Sequence, residues 1–444
     1  MRRAVFIIDG EHYMPVLVES IARIERDLDV EAVGAVFLGT AEKIGGEEAI
    51  ASLDLPVFTA QEPLASLREA IRCYSPDMVI DLSDEPHMSL AMRMRVAAEV
   101  LSAGLEYLGA DFRFERKAFT RVRRRSFAVF SVAKRAGKTA VCCTIARILK
   151  SVGEEPIIFT MSRGGPGEPV VVRPSERLTP ERLLELAKTG LHAAADHYEN
   201  AIFSGVATIG ARRAGGGFSG VPFYTNVQDA IRTAGKMRCS AYVFEGSGSD
   251  APPVEGPARV VLLLANMNPA ALREPFNPPR LRSSRIALIM RAEEPFATRK
   301  EVNVLKERIL EANPRLLVCA AVLRPHLAAP PPEGSRVVVA STAPEPTHLR
   351  LKEDLERAYG LEVVGITGAL TNRKRLAAEL RTLFKEKPSH LVTELKAAAV
   401  EVGIRSALAR GVEVCLLENR PQDAMDWEPS FKDVVLQAFE EMKR

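Results

Sequence analysis

The chain has little of several things, and each scarcity excludes something. Glutamine stands at only Gln61, Gln228, Gln422 and Gln437, and so few thermolabile amides beside many Arg and Glu point mildly to a heat-adapted source. The six cysteines include no Cys-x-x-Cys pair and sit in apolar segments, which argues against a zinc site or a disulfide framework and predicts reduced thiols in the cytoplasm. No apolar run approaches the roughly 18–20 residues of a bilayer span. The longest, Val260 to Met267, is interrupted by Asn266. Neither charge sign is in excess: 60 Lys+Arg against 57 Asp+Glu leave +3. A general nucleic-acid binder is therefore not expected, whereas a local basic pocket for an anion is compatible with that balance.

What is present is ordinary globular composition, 47% hydrophobic and 26% charged over 444 residues, enough for about three domains. The start, Met1-Arg2-Arg3-Ala4-Val5-Phe6-Ile7-Ile8-Asp9, carries the charge of a signal peptide but an apolar stretch shorter than the usual ~7–15 residues, and reads as a first strand. Short β-branched runs then alternate with stretches of helical period, the mark of parallel α/β architecture.

The expected division is an N-terminal α/β domain over 1–120, a nucleotide-binding domain over 121–330 and a C-terminal α/β unit over 331–444. In the first, strands Ala4–Ile8, Ala32–Phe37 and Met78–Asp81 are separated by amphipathic stretches such as Pro15–Arg26, Leu64–Tyr74 and Met88–Ala103. The basic join Asp111–Ser126, with Arg116 and Lys117 among its cations, reads as a solvated linker, or else as a substrate-facing edge. Strands are expected at Phe127–Ser131, Pro156–Thr160, Val206–Gly210, Ala241–Glu245, Arg259–Ala265, Arg285–Met290 and Leu316–Val322. Pro330-Pro331-Pro332 resembles a stiff connector, since successive prolines favour an extended path without ladder bonds. Strand–helix alternation resumes after it.

The most specific signal is Phe127-Ala128-Val129-Phe130-Ser131-Val132-Ala133-Lys134-Arg135-Ala136-Gly137-Lys138-Thr139, an apolar strand, a turn and the start of an apolar helix. It ends as a Walker A loop does. Gly137, preceded by Ala136, lets backbone approach phosphate, and Ala140 follows in the first helical turn; Lys138 reaches the β- and γ-phosphates; the Thr139 hydroxyl can ligate Mg²⁺. Val132 stands where the first glycine of that motif belongs. Lys134 and Arg135 are placed to touch a transferred phosphoryl group, whose chemistry depends on positioning and charge neutralisation. Glu245, at a strand end before Gly246-Ser247-Gly248, suits Mg²⁺ beside a phosphate loop.

Two segments join arginine to glycine: Met161–Pro169, with Arg163-Gly164-Gly165-Pro166-Gly167, and Gly210–Gly220, with Arg212-Arg213-Ala214-Gly215-Gly216-Gly217. Each alone reads as a surface loop; together they favour a second, heavily anionic substrate, through amide nests and guanidinium forks. His12, just after the first strand, is a candidate substrate contact or a satisfied histidine near a capping Asp9. His192 and His197 have the wrong separation for an i,i+4 metal pair, and Asp196 and Tyr198 read as helix-surface or supporting groups. Cys142 and Cys143 read as small core residues.

Taken together these residues resemble the archaeal-type cyclic 2,3-diphosphoglycerate synthetases over nearly the whole chain, through Ile8-Asp9-Gly10-Glu11-His12-Tyr13, Lys134–Thr139, Arg163–Pro166, Arg212–Gly217, Phe244–Gly248 and Glu394-Leu395-Lys396-Ala397-Ala398-Ala399. The resemblance implies ATP-dependent closure of 2,3-diphosphoglycerate, with Mg²⁺ required and a monovalent cation such as K⁺ helpful. A cytoplasmic homodimer acting on a small molecule is expected, with neither membrane nor nucleic acid as partner. The nucleotide domain is also similar to that of dethiobiotin synthetase. Two other readings remain open at this point: a nucleotide-hydrolysing switch or metallochaperone-type protein, and a dethiobiotin-synthetase-like ligase acting on another acid.

Overall fold

A computed structural model describes the chain except for residues 39–52, 61, 86, 116–117, 189–195 and 443–444. Arg116, Lys117 and His192 lie outside the described residues. The chain is α/β throughout and divides into two compact units, Met1–Ala118 with Ala270–Ser283, and Phe119–Pro269 with Ser284–Arg444.

In the first unit the strands are β1 (Arg2–Ile8), β2 (Val30–Phe37), β3 (Val57–Phe58), β4 (Met78–Asp81), β5 (Glu106–Leu108) and β6 (Arg113–Phe114). They form one sheet in the order β3-β2-β1-β4-β5-β6, parallel except at its β6 edge. β1 is buried at five successive apolar positions, as expected of a strand covered on both faces. Helix Met14–Leu28 turns Met14, Leu17 and Ile21 onto the sheet, the three-to-four spacing of an apolar stripe. Residues Ala270–Ser283 return to this unit from far along the chain. Phe276 packs into its core and Arg282 bonds Glu99 at 2.5 Å, a return that no local sequence pattern announces.

The second unit holds β7 (Thr120–Arg121), β8 (Ser126–Ser131), β9 (Pro156–Ser162), β10 (Val170–Val172), β11 (Thr208–Ala214), β12 (Tyr224–Thr225), β13 (Ala241–Glu245), β14 (Val254–Glu255), β15 (Ala258–Leu264), β16 (Ile286–Met290), β17 (Leu317–Leu327), β18 (Arg336–Ala340), β19 (Glu362–Thr367), β20 (His390–Glu394) and β21 (Glu413–Asp423). Its large sheet runs β10-β11-β9-β13-β8-β15-β16-β17-β21-β20-β18-β19. From β11 to β17 neighbours are parallel. From β21 to β19 they are parallel again.

The join between the two halves is antiparallel and positions everything that follows. Residues Leu317–Ala321 of β17 pair with β16, while its continuation Ala321–Leu327 pairs with Leu417–Asp423 of β21. The earlier part of β21, Glu413–Leu417, pairs with β20. Two long strands thus overlap by their carboxyl ends, and the carboxyl edges of both half-sheets face one another. The expected boundary at Pro330–Pro332 falls between β17 and β18, inside this continuous sheet.

The phosphate-loop helix Lys138–Ser151 buries Val141, Cys142, Ile145, Ala146 and Leu149 against β8, β13 and β16 residues such as Phe127, Val243 and Leu288. Strand β13 carries Phe244, stacked 4.5 Å from Phe159, and ends at Glu245. There the chain bends tightly: the Gly246 amide bonds the Val129 carbonyl at 2.8 Å, and a Cβ at Gly246 would fall 2.3 Å from the Asp250 carbonyl oxygen. Gly246→Ala should therefore lower the unfolding free energy by about 1–3 kcal/mol, read as a lower thermal midpoint. An unchanged midpoint would contradict this account of the bend.

Candidate functional site

A cavity of about 820 Å³ lies where the two carboxyl edges meet. One half-sheet contributes the loop after β8 (Lys134 to Ala140), Ser162–Gly164 after β9, Glu245–Gly248 after β13 and Arg291 after β16. The other half contributes Thr342 after β18, Thr371 after β19, and Glu394, Lys396 and Ala397 at the end of β20, while Leu323, Leu417, Glu418 and Asn419 come from the two joining strands. Open parallel sheets place ligands outside their strands' carboxyl ends. Here two such edges share one cavity.

The loop after β8 shows why a valine is tolerated in it. The Val132 amide still bonds the Leu262 carbonyl at 3.2 Å, so this residue extends the strand. The left-handed turns come later, at Arg135 (φ 60°) and Gly137 (φ 85°). Lys138 Nζ donates to Ser131 Oγ at 3.1 Å and to the Gly248 carbonyl at 3.0 Å. Burial lowers its pKa, and Arg163 pushes the same way against the attraction of Glu245 and Asp196.

Thr139 Oγ1 donates to Glu245 Oε1 at 2.7 Å. The other carboxylate oxygen accepts from Asn200 Nδ2 at 2.5 Å, and the same amide group donates to Thr160 Oγ1 at 2.8 Å. Asn200 and Glu245 are both buried. Burial first, and the Asp196 charge second, push the Glu245 carboxyl up to about 8 despite the Thr139 and Asn200 hydrogen bonds.

The joining strands and their neighbours add charge of both signs. Lys396 Nζ donates to Glu199 Oε2 at 2.9 Å; burial opposes its charge, but Glu199, Glu394 and Asp196 outweigh that and hold it protonated. The buried Glu394 accepts from Ser341 Oγ at 2.5 Å, the Thr342 amide at 2.9 Å and Asn419 Nδ2 at 3.0 Å. Arg147, on the phosphate-loop helix, donates to both oxygens of Glu418 at 3.0 and 3.1 Å. This pair and Lys396–Glu199 tie the two half-sheets together beside the cavity.

Lys134, Arg135, Ala136, Gly137, Lys138, Thr139, Ala140, Arg163 and Glu245 are thus gathered at one cavity. Arg212, Arg213, Gly215 and Gly216 are not among its lining residues. The expected glycine–arginine loop is in part strand, because β11 runs on through Arg212 and Arg213 to Ala214, and successive side chains of a strand take opposite faces. Arg213 is buried, ion-paired with Asp250 Oδ2 at 2.7 Å and donating to the Gly215 carbonyl at 2.9 Å and the Ser247 carbonyl at 2.8 Å. Arg212 is exposed, and its Nε bonds the Gly165 carbonyl at 3.0 Å. A Cβ at Gly216 would meet the Asp250 carboxylate at 2.8 Å.

His12 belongs to the first unit, where its Nδ1 lies 2.9 Å from Asp9 Oδ1 and its Nε2 3.4 Å from Asp84 Oδ2. Asp9 is lowered: burial works against its charge, but His12 and the amides of Asp84 and Glu11 outweigh it. His197 is buried, and burial pulls its pKa down to about 4. Cys142 and Cys143 are core residues, and all six cysteines are unpaired. Sequence reasoning passed over Asn200, Glu199, Arg291 and Asn419 as site residues. None carries a local motif; only Glu394 and Lys396 fell within a stretch that drew notice.

The raised Glu245 carboxyl has a thermodynamic consequence. The folded chain keeps this proton to about pH 8, whereas the free carboxyl loses it near 4.5, so the group's contribution to stability falls as pH rises between those values. Glu245→Gln removes the titration. Its thermal midpoint should gain on that of the unsubstituted chain as pH rises from 5 to 8, reflecting a stability difference on the order of a few kcal/mol at the upper end. Parallel midpoint-against-pH curves would contradict the burial argument.

Comparison with known proteins finds family matches at three places along the chain. Residues 126–322 match the P-loop domain of cyclic 2,3-diphosphoglycerate synthetase, residues 3–115 its N-terminal domain and residues 332–420 its C-terminal domain. The cyclic 2,3-diphosphoglycerate synthetase of Rubrobacter xylanophilus is 40% identical over 424 residues, covering 94% of each chain. That of Methanothermus fervidus is 35% identical over 448 residues, covering 99% of this chain and 97% of its own. Among solved structures, LpxK from Aquifex aeolicus in complex with ATP aligns over 73% of this chain and 91% of its own at 11% identity, with a TM-score of 0.41. With relatives of this identity along almost its entire length, the chain belongs to the cyclic 2,3-diphosphoglycerate synthetase family.

Proposed function

We propose that the protein is an ATP-dependent ligase that closes 2,3-diphosphoglycerate into its cyclic diphosphate, releasing ADP and inorganic phosphate. The observation that carries this reading is the cavity itself. It sets a phosphate loop, a buried carboxylate and several cations of one half-sheet against a second carboxyl edge, in a chain of this family.

The chemistry asked of the cavity is charge management. In the first step an oxygen of one substrate phosphate attacks Pγ of ATP, the bond from Pγ to the β-phosphate bridge breaks, and ADP leaves. In the second, an oxygen of the other substrate phosphate attacks the inner phosphorus of the new diphosphate, and the added phosphoryl group departs as inorganic phosphate. Neither step requires a strong base, since phosphate oxygens are nucleophilic at neutral pH. Both bring dense negative charge together, which preorganised cations offset.

In this reading the backbone at Ala136, Gly137 and Ala140 and the Lys138 ammonium hold the β- and γ-phosphates, Lys138 exchanging the Gly248 carbonyl for phosphate oxygen. Lys134 faces the transferred phosphoryl group, Arg135 stands between that group and the acid, and Arg163, on the Lys138 side, meets the acid phosphate that attacks Pγ. Arg213, already bonded to Asp250 and two carbonyls, is assigned to shaping the 247–250 loop. Arg212, Gly215 and Gly216 support that wall, and His12 is a substrate contact by its edge position alone.

Mg²⁺ fits Thr139 and Glu245: their oxygens lie 2.7 Å apart, a hard-oxygen pair of the kind that holds this ion together with nucleotide oxygens. When bound it would neutralise phosphate charge. Glu245 must give up its proton to ligate, so Mg²⁺ affinity rises with pH toward 8. K⁺ stimulation, a cytoplasmic location, a homodimer and a working division into segments 1–120, 121–330 and 331–444 rest on the resemblance and on sequence pattern. A nucleotide-driven switch is not favoured, because the relatives that span the chain are named synthetases.

Two variants test the reading. Lys138→Ala should reduce ADP release in the presence of 2,3-diphosphoglycerate by at least about 100-fold with an unchanged circular dichroism spectrum; normal turnover would sink it. Glu245→Gln should weaken Mg²⁺ dependence and turnover more than affinity for metal-free ATP. An unaltered Mg²⁺ titration would make Glu245 a structural residue only.

A further inference from the structure

The cavity's cations are not equivalent. Lys396 is matched by Glu199 at 2.9 Å, and Lys138 is held by Ser131 and Gly248 beside Glu245. Arg163 lies on that same side, against Gly248 and Arg213. Arg291 is different. Its Nη2 reaches the Arg135 carbonyl at 3.4 Å, its guanidinium lies 5.0 Å from the Phe296 ring centroid, and it forms no ion pair among the described residues.

Three observations meet at Arg291. It is partly buried with the Arg135 charge nearby, so that burial first and Arg135 second work against its own charge. The Glu394 carboxylate attracts it from a distance but is already bonded by Ser341, Thr342 and Asn419. Its backbone sits at φ 61°, a left-handed conformation that costs an arginine strain and directs the side chain from the end of β16 into the cavity. A half-buried arginine charge that feels a second arginine, with the nearby Glu394 already bonded by other groups, is an arrangement that an anion stabilises.

We infer that Arg291, with Arg135, forms the binding site for a phosphate of the non-nucleotide substrate. This deepens the functional reading above and rests on it. The nucleotide phosphates belong at Gly137 and Lys138, where the helix begins. The Arg135–Arg291 pair stands at the side of the loop that faces the second half-sheet, next to Thr342 and Asn419, which line the same cavity. A bis-phosphorylated acid lying between these groups directs one phosphate toward Pγ and anchors the other on the guanidinium forks. The antiparallel join of the sheet is what brings the two sides within reach of one small molecule.

The test separates the two substrates. Binding of 2,3-diphosphoglycerate and of ADP with Mg²⁺ is measured by calorimetry, and KM for each substrate by ADP release, for the unsubstituted chain, Arg291→Lys and Arg291→Asn. Asparagine tolerates the left-handed backbone, so loss of fold is not the expected outcome, and a thermal melt checks it. Arg291→Asn should weaken binding of the acid and raise its KM by about 10- to 100-fold, with ADP affinity and the KM for ATP changed less than about threefold. Arg291→Lys should recover part of the loss, since it keeps the charge without the planar fork. Equal losses for acid and nucleotide would move Arg291 to the nucleotide site and overturn the inference, as would no loss in either. Failure of the unsubstituted chain to bind 2,3-diphosphoglycerate would instead overturn the functional reading, and this inference with it.

Discussion

The pairing of β17 with β21 is the constraint on which the rest of this structure depends. Parallel half-sheets ordinarily present their carboxyl edges to solvent or to a lid. Here each half ends in a strand long enough to overlap the other's in antiparallel register, Ala321–Leu327 against Leu417–Asp423. That overlap fixes two carboxyl edges face to face across one cavity and places loops distant in the chain, such as Lys134–Ala140 and Glu394–Ala397, on its opposite walls. The Arg147–Glu418 and Lys396–Glu199 pairs reinforce the overlap. A partly buried pair of this kind is costly to break from one side, because it leaves an uncompensated charge.

The electrostatics of the cavity follow from that closure. A site for two polyanions lined only with cations would repel itself when empty; this one carries Asp196, Glu199, Glu245 and Glu394 among its cations. The carboxylates play different parts. Glu394 is bonded from several sides and Glu199 neutralises Lys396, while Glu245 is pressed toward its neutral form by burial and by Asp196. Phosphate and a divalent cation arriving together would compensate Lys138 and Glu245 at once, since burial works against the charge of each. In this account nucleotide and metal binding reinforce one another.

Much of this was legible in the sequence wherever the signal was local. The strand and helix around Gly137–Thr139 stand out because apolar period changes from strand to helix at a glycine–lysine pair, and Glu245 stands out because an apolar strand ends there in a carboxylate followed by glycines. Strands β1, β2 and β4 of the first sheet were readable for the same reason, whereas β3, β5 and β6 are too short to carry a pattern. Arg212 and Arg213 were misleading as loop residues: β11 runs on past Gly210 to Ala214 and carries the two arginines to opposite faces. Asn200 and Arg291 were invisible because their significance lies in what the fold brings to them, Glu245 from 45 positions away and the Arg135 carbonyl from 156. The proline run read as a connector could not reveal that strands on its two sides belong to one sheet.

The central claim is that the cavity joins two phosphates of one molecule at the expense of ATP. The most direct test is phosphorus NMR of the protein with ATP, Mg²⁺ and 2,3-diphosphoglycerate. The account predicts that both monoester resonances of the acid disappear together, replaced by a coupled pair in the phosphoanhydride region, with ADP and inorganic phosphate appearing in equal amounts to the cyclic product. ATP hydrolysis that leaves the two monoester resonances intact would contradict it.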